Sequence, residues 1–379
     1  MGHYQELGEG RYRLFVDNGK DRKGKRKRKT KIVHASGVRE LKYLLRQFEN
    51  EVENHKEDDT RRISFEEFVT MWKKNYMQTE LELSTQQTYN GLLKFITPFF
   101  NEMDMDQIKT IDIVNYFTSE KENERRSLEK KYNVLLSLFS KAFDWGVIES
   151  NPMQGVKKPK TKPKKKQPYT WEEVQELSRH MADLSPYHQR LIKITVECAL
   201  RRGEVLGIAE DVLDFENNRI LIRRSLGYTK ENGLYLKCTK TEDETYLHVS
   251  QQLMDELKKQ LLVAKKNRIK NSTNWLGFRD REGIDVLLLF ADEFGVPHQP
   301  NAVTRFWGRF IERKSLRPIS FHDLRHSSAS ILNRKGVRSK SLQNRLRHKN
   351  IKTTMNLYVH EEDNDDKLVA QMFDGIWSS

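Results

Sequence analysis

Ala199-Leu200-Arg201-Arg202-Gly203-Glu204 closes an apolar helical stretch, and far downstream His322-Asp323-Leu324-Arg325-His326 opens another helix after Ser320. Between them Lys240-Thr241 sits in a β-like hairpin. After them come Arg345-Leu346-Arg347-His348 and Thr353-Thr354-Met355-Asn356-Leu357-Tyr358-Val359-His360. Residues scattered this widely act together only if a fold gathers them, and their chemistry says what they would then do. His322 and Arg325 are three apart, which places both on one side of a helix. A guanidinium holds two phosphate oxygens bidentately, so Arg201 and Arg325 would clamp one phosphodiester and stabilise a pentacoordinate transition state. Histidine donates to non-bridging oxygens or moves a proton near neutral pH. Lysine of lowered pKa protonates a leaving 5′-oxygen. Tyrosine attacks phosphorus and stores the bond energy as a phosphotyrosine link. None of these groups prefers a metal, so the set suits transesterification at a DNA phosphate with neither metal nor cofactor.

Around this set the chain reads as several domains, mainly α with small β-sheets. Tyr12, Leu14 and Val16 alternate with Arg11, Arg13 and Phe15, a strand period. Asp17-Asn18-Gly19 is turn chemistry, and Lys31-Ile32-Val33-His34 supplies a partner strand. Ser36 then caps a helix carrying Leu41, Leu44, Leu45, Phe48 and Val52. Residues 1–58 therefore form a small sheet with one helix behind it. Between Gly19 and Lys31, nine of thirteen residues are basic. Arg11, Arg13, Lys25, Arg26, Lys27, Arg28 and Lys29 are the expected DNA contacts, because a sheet with a basic rim enters a DNA groove. A disordered basic hairpin is the plainer alternative.

Ser64 and Glu67 fit a capping box ahead of Phe65, Phe68, Val69 and Trp72. Helical spacing continues over 84–100, 111–120 and 127–145, where Tyr132, Leu135, Leu136, Phe139 and Phe143 read as core. Residues 63–155 are thus a bundle of four or five helices. Seven of the ten residues from Lys157 to Lys166 are lysine, punctuated by proline. The segment 156–168 reads as an extended cationic linker that does not pack, and Lys157, Lys158, Lys160, Lys162 and Lys164 would lie along phosphates. Thr170 opens the last domain, 169–379, with helices to about Gly207, β-like segments at 219–222 and 227–250, and helices again from about Asn301.

Composition agrees. The 379 residues carry a net charge of +14, the pI is near 9.5 and the mean hydropathy is −0.80. Such a chain meets a polyanion, most often nucleic acid. No apolar run approaches the roughly 20 residues of a membrane helix, and Met1-Gly2-His3-Tyr4 opens no signal peptide. Two cysteines, Cys198 and Cys238, exclude a disulfide scaffold and a cysteine-based zinc site. Cytoplasm is the expected compartment.

Taken in order, Ala199-Leu200-Arg201-x-Gly203-Glu204, Lys240-Thr241, His322-x-x-Arg325, His348 and Tyr358-x-His360 resemble the tyrosine recombinase (phage integrase) family. The resemblance covers essentially the whole chain. It implies an arm-site-binding domain at the N-terminus, a SAM-like core-binding bundle, and a mixed α+β catalytic domain. By position it makes Arg201, His322, Arg325 and His348 catalytic, Lys240 the general acid, Tyr358 the nucleophile and Glu204 a supporting acid. Arg347 departs from the pattern, since glycine often precedes the second histidine; it would add a phosphate contact or tilt a helix start. His326 and His360 are expected to support the fold. Lys230 and Lys237 compete with Lys240, and Tyr228, Tyr235 and Tyr246 with Tyr358, although none of these tyrosines follows the second histidine.

The resemblance further implies double-stranded DNA with core and arm sites and a homo-tetramer. It also implies a 3′-phosphotyrosyl intermediate, a Holliday junction, and an excisionase or DNA-bending partner. An acidic stretch at 361–366 precedes Leu368, Val369, Met372, Phe373 and Ile376 at helical spacing. That tail packs on its own domain or docks into a neighbouring subunit. Three other readings stay open: a non-catalytic DNA-binding regulator, a metal-dependent nuclease, and a relaxing topoisomerase with the same tyrosine chemistry.

Overall fold

In the computed structural model the described residues are 2–8, 10–20, 26–59, 62–123, 127–159, 167–238, 245–348 and 350–355, without the side chains of 18–20, 26–27, 54–59, 238 and 353–354. Lys25, Lys160, Lys162, Lys164, Lys240, Tyr358 and the tail fall outside them. The chain divides into two compact units, Met1–Lys162 and Pro163–Ser379. Among the described residues no helix is long and apolar enough to cross a membrane.

The first unit opens with strands β1 (His3–Gly8), β2 (Arg11–Lys20) and β3 (Arg26–His34), an antiparallel sheet in that order. The two-residue period sends Leu14 and Val16 to one face. There they are buried with Leu41, Phe48 and Val52 of helix α1 (Val38–Asp59). Ser36 lies two residues before that helix, and its N–H and hydroxyl both donate to Glu40. Asp17-Asn18-Gly19 is not the turn. Asp17 pairs with Arg28 and Lys20 with Arg26, so three steps on β2 oppose two on β3. One extra residue is absorbed as a bulge, and the strands run on past it.

The register also sorts the basic residues. Arg11, Arg13 and Phe15 oppose His34, Ile32 and Thr30, and Asp17 opposes Arg28. Arg11, Arg13 and Arg28 therefore share the face turned away from α1. Lys29 and Lys31 oppose Val16 and Leu14 on the helix side, where Lys31 pairs with Glu51 of α1 at 2.9 Å.

A separate core forms the bundle. It is built from α2 (Phe65–Trp72), a π-helical turn at Lys73–Met77, α3 (Gln78–Glu80), α4 (Leu83–Phe100), α5 (Thr110–Glu122) and α6 (Leu128–Asp144). The Ser64–Glu67 capping box is present. Phe65, Phe68, Trp72, Ile96, Phe100, Leu135 and Phe139 are buried together. Two residues of the expected α6 stripe are not core: Leu136 and Phe143 are exposed. The buried face runs through Val134, Leu135, Leu138, Phe139 and Ala142, and Leu136 and Phe143 lie about one residue step, 100°, off it. The cationic linker also packs where it begins. Lys158 pairs with Glu129 at 2.8 Å and the Tyr132 hydroxyl donates to the Val156 carbonyl.

The second unit holds α7 (Trp171–His180), α8 (Pro186–Cys198), α9 (Arg202–Leu206), β4 (Leu213–Asp214), β5 (Arg219–Ile222), β6 (Arg224–Thr229), β7 (Gly233–Cys238) and β8 (Thr245–His248). Its remaining described helices are α10 (Gln251–Lys270), α11 (Pro300–Arg313), α12 (Asp323–Arg334), α13 (Ser339–Leu346) and α14 (Ile351–Met355). Strands β4-β5-β8 form one antiparallel sheet and β6-β7 a hairpin. Thr170 caps α7 with Glu173 in a second capping box. Helix α10 occupies the first twenty residues of 251–300, a stretch that carried no expected element. Its Ser250 cap and its buried Leu253, Met254, Leu257, Leu261 and Ala264 were available signals.

Candidate active site

The site grows from a single buried carboxylate. Arg201 is the N-cap of α9 and Glu204 lies three residues on, so the Glu204 carboxylate turns back to the helix start. It accepts the Arg201 backbone N–H at 2.8 Å on Oε2 and the Arg201 guanidinium at 2.7 Å on Oε1. The glycine between them is required. A Cβ on Gly203 would stand 2.5 Å from the Ser225 hydroxyl and 2.8 Å from the Leu226 carbonyl, so α9 can sit on β6 only with glycine there. The Arg201 side chain stays 44% exposed while Glu204 is 4% exposed.

Two more arginines converge on Glu204. Arg347 Nη2 donates to Oε2, and Arg325 Nη1 stands 4.0 Å from the same oxygen. Burial pushes the Glu204 carboxyl up, but Arg347 and Arg201 outweigh it and hold it below the ordinary range. Burial, then the neighbouring Arg201, pulls the Arg325 guanidinium down, with Glu204 opposing.

Arg325 is not presented as expected. Its side chain is 1% exposed; Nη1 donates to the Ala199 carbonyl at 2.6 Å and Nη2 to the Leu346 carbonyl. These carbonyls belong to the ends of α8 and α13, where unpaired carbonyls and the helix dipole favour a cation. His322, in contrast, is the N-cap residue of α12 and exposed. Along α12, Arg325 is thus buried where His322, three residues earlier, is exposed. His326 meets the His322 ring edge-on at 4.8 Å.

His348 is placed by the end of α13. Arg347 adopts φ 51°, the Arg347 N–H donates to Asn344 and the His348 N–H to Gln343. These are the two bonds of a Schellman motif, and the Gln343 side chain closes the turn on the His348 carbonyl at 2.9 Å. Burial, then Arg325 and Arg201, lowers the half-buried His348 to about 4, so its imidazole is neutral at pH 7. Loss of water, then His326 and Arg325, lowers His322 in the same direction.

Arg347 does not reach outward for a phosphate, one of the two outcomes expected of it. It folds back onto Glu204, and sequence reasoning missed this role. Arg345 was missed too: its Nη2 donates to the Glu197 carbonyl at 2.7 Å and ties α13 to the end of α8. Arg202 bonds the Thr304 hydroxyl of α11. Arg201, Glu204, Arg325 and His348 are thus gathered in space; Lys240, Tyr358 and His360 lie outside the described residues.

Comparison with known proteins gives the same family. Residues 169–365, just over half of the chain, match the model described as "Phage integrase family". Residues 64–120 match "Phage integrase, N-terminal SAM-like domain". The ICEBs1 integrase of Bacillus subtilis strain 168 is 24% identical over 98% of this chain and 99% of its own length. The Tn1549 transposon integrase, solved in complex with transposon right end DNA, has the same fold at a TM-score of 0.64. It is 21% identical over 82% of this chain and 98% of that one. The lambda integrase tetramer bound to a Holliday junction aligns at a TM-score of 0.56, with 14% identity over 94% of this chain and 96% of that one. A catalytic-region model spanning half the chain, and an arginine–glutamate–histidine cluster where its motifs fall, lead to one conclusion: this chain belongs to the phage integrase family, the tyrosine recombinases.

Proposed function

We propose that the chain is a site-specific DNA recombinase that integrates and excises a mobile element. One observation carries the reading. Arg201, Arg325 and Arg347, remote in sequence, are brought to one buried carboxylate, Glu204, with His348 near Arg325 and Arg201, leaving an excess of positive charge where a phosphate would sit. In the proposed step the Tyr358 hydroxyl passes its proton to the neutral His322 imidazole as its oxygen attacks the scissile phosphorus. A Tyr358 Oη–P bond forms, the P–O5′ bond breaks, and Lys240 supplies the proton to the departing 5′-oxygen. Arg201 and Arg325 hold the non-bridging oxygens, and the neutral His348 imidazole donates a hydrogen bond to the phosphate. The 5′-hydroxyl of a partner duplex then attacks the 3′-phosphotyrosyl link and returns the proton and the tyrosine. Bond energy is conserved, so neither ATP nor metal is called for.

In this reading 1–58 binds arm sites through Arg11, Arg13, Arg28 and the basic residues beside them. Residues 63–155 grip the core site, 156–168 lies along phosphates, and 169–379 cuts. Four copies, linked through their tails, pass through a Holliday junction on DNA in a bacterial cytoplasm. A lambda integrase tetramer on such a junction is the structural precedent.

The test is a recombination assay on a supercoiled plasmid carrying both element ends. A recombinase yields junctions and exchanged circles. Relaxed topoisomers without exchange would overturn the reading in favour of a topoisomerase, and binding without either product in favour of a regulator.

A further inference from the structure

Arg347 sits where a residue chosen only for stability would not. Its left-handed backbone, φ 51°, is entered freely by glycine and by other residues only against a steric cost. Its side chain is nonetheless 5% exposed, and its Nε–H is buried without a hydrogen-bond partner. Two unfavourable features in one residue point to a role beyond packing.

That role is legible at Glu204 Oε2. A carboxylate oxygen offers about two lone-pair positions. On this one, the Arg201 N–H and Arg347 Nη2 occupy both. Arg325 Nη1, 4.0 Å away, is left outside. Its hydrogen bonds go to the Ala199 and Leu346 carbonyls instead, neutral acceptors, so only the longer pair to Glu204 offsets its charge. Three guanidiniums then face one carboxylate, a surplus of two positive charges.

We propose that Arg347 is a positioning residue: by filling Glu204 Oε2 it keeps Arg325 from a direct hydrogen bond to that carboxylate and leaves the second hydrogens of its Nη atoms for the scissile phosphate. The proposal rests on the recombinase reading. Without Arg347, Arg325 closes onto Glu204, the two neutralise each other, and the phosphate meets only Arg201.

Arg347→Gly is a clean probe, because glycine relieves the backbone while deleting the guanidinium. The experiment measures covalent adduct formation on a nicked duplex carrying the element's end, at saturating DNA. It compares wild type, Arg347→Gly, Arg347→Lys, Glu204→Gln and the Glu204→Gln/Arg347→Gly double variant, with melting temperature and DNA affinity recorded for each. Arg347→Gly is expected to melt at a lower temperature, to keep its DNA affinity and, assayed well below that temperature where it is folded, to form adduct about 10- to 100-fold more slowly, within the range of coupled neighbours. Arg347→Lys is expected to recover most of that loss. In the Glu204→Gln background, where no carboxylate waits to capture Arg325, the same change is expected to cost less than about threefold.

Unchanged adduct formation in Arg347→Gly overturns the proposal. So does an equal loss with and without Glu204, or a loss that follows melting temperature and is not restored by lysine. Wild type that forms no adduct overturns the recombinase reading and this proposal together, which separates that failure from the others.

Discussion

On the open face of the N-terminal sheet, Arg11, Arg13 and Arg28 stand on neighbouring strands, and Arg28 makes only a surface pair with Asp17 at 3.1 Å. In the second unit Arg325 and Arg347 are 1% and 5% exposed and share one glutamate. The first group is solvated and screened by salt, and each member contributes little alone. The second is held by fixed hydrogen bonds in a dry setting, where removing one partner leaves a buried charge uncompensated. Charge works by number in the first region and by position in the second. Substitutions in the two regions should therefore fail in different ways.

The largest effect is expected at Arg325. Arg325→Met keeps much of the volume but strips the Ala199 and Leu346 carbonyls of their donor and leaves Glu204 with fewer cations. Adduct formation should fall by at least about 100-fold, and stability by about 3–5 kcal/mol, read from urea unfolding. An effect confined to DNA affinity would erase the distinction between the regions.

Gly203→Ala comes next. Its methyl would press on Ser225 and the Leu226 carbonyl, so α9 must shift and carry Arg201 with it. Overpacking of this kind costs about 1–3 kcal/mol, measured as a lower melting temperature with slower cleavage.

On the sheet, replacing Arg11, Arg13 and Arg28 together by Ala should leave unfolding unchanged. The slope of log affinity for arm DNA against log salt should flatten by up to about 2.7, near 0.9 for each lost phosphate contact. Lys29→Ala, on the other face, should change that slope less, which sharpens the comparison within a single sheet.

The last test is a titration. His348 has a folded pKa near 4, below the roughly 6.5 of an unfolded histidine. The unfolded chain therefore binds the proton first. Stability from this group is complete above about pH 6.5 and declines as pH falls toward 4. NMR of the free protein should find the His348 ring neutral at pH 5.5. A midpoint near 6.5 would contradict the cationic surroundings described for it.

Much of this was readable in the chain, for physical reasons. Ser64–Glu67 and Thr170–Glu173 announce helix starts because a capping box is local chemistry. Leu14 and Val16 announce a strand because one face is buried. What failed was what depends on partners. Leu136 and Phe143 match a helical stripe, but only the packed bundle says which phase of that stripe is core. Asn18-Gly19 has the composition of a turn yet sits in a bulge set by the facing strand. Helix α10 was overlooked because its apolar stripe is thin among many lysines. In the site, Arg201, Glu204, Arg325 and His348, read by order and spacing, are gathered in space. The burial of Arg325 and the return of Arg347 to Glu204 were not readable in this way, because both depend on where α8 and α13 end in space.

The central claim is that Tyr358 performs metal-free transesterification in the site organised by Glu204. The most direct measurement is covalent capture: a nicked duplex spanning the element's end, incubated with the protein in EDTA and run on a denaturing gel beside Tyr358→Phe. The account predicts a shifted protein–DNA adduct with wild type and none with Tyr358→Phe, although both bind the duplex. An adduct with Tyr358→Phe, or cleavage that appears only when a divalent metal is added, would contradict it.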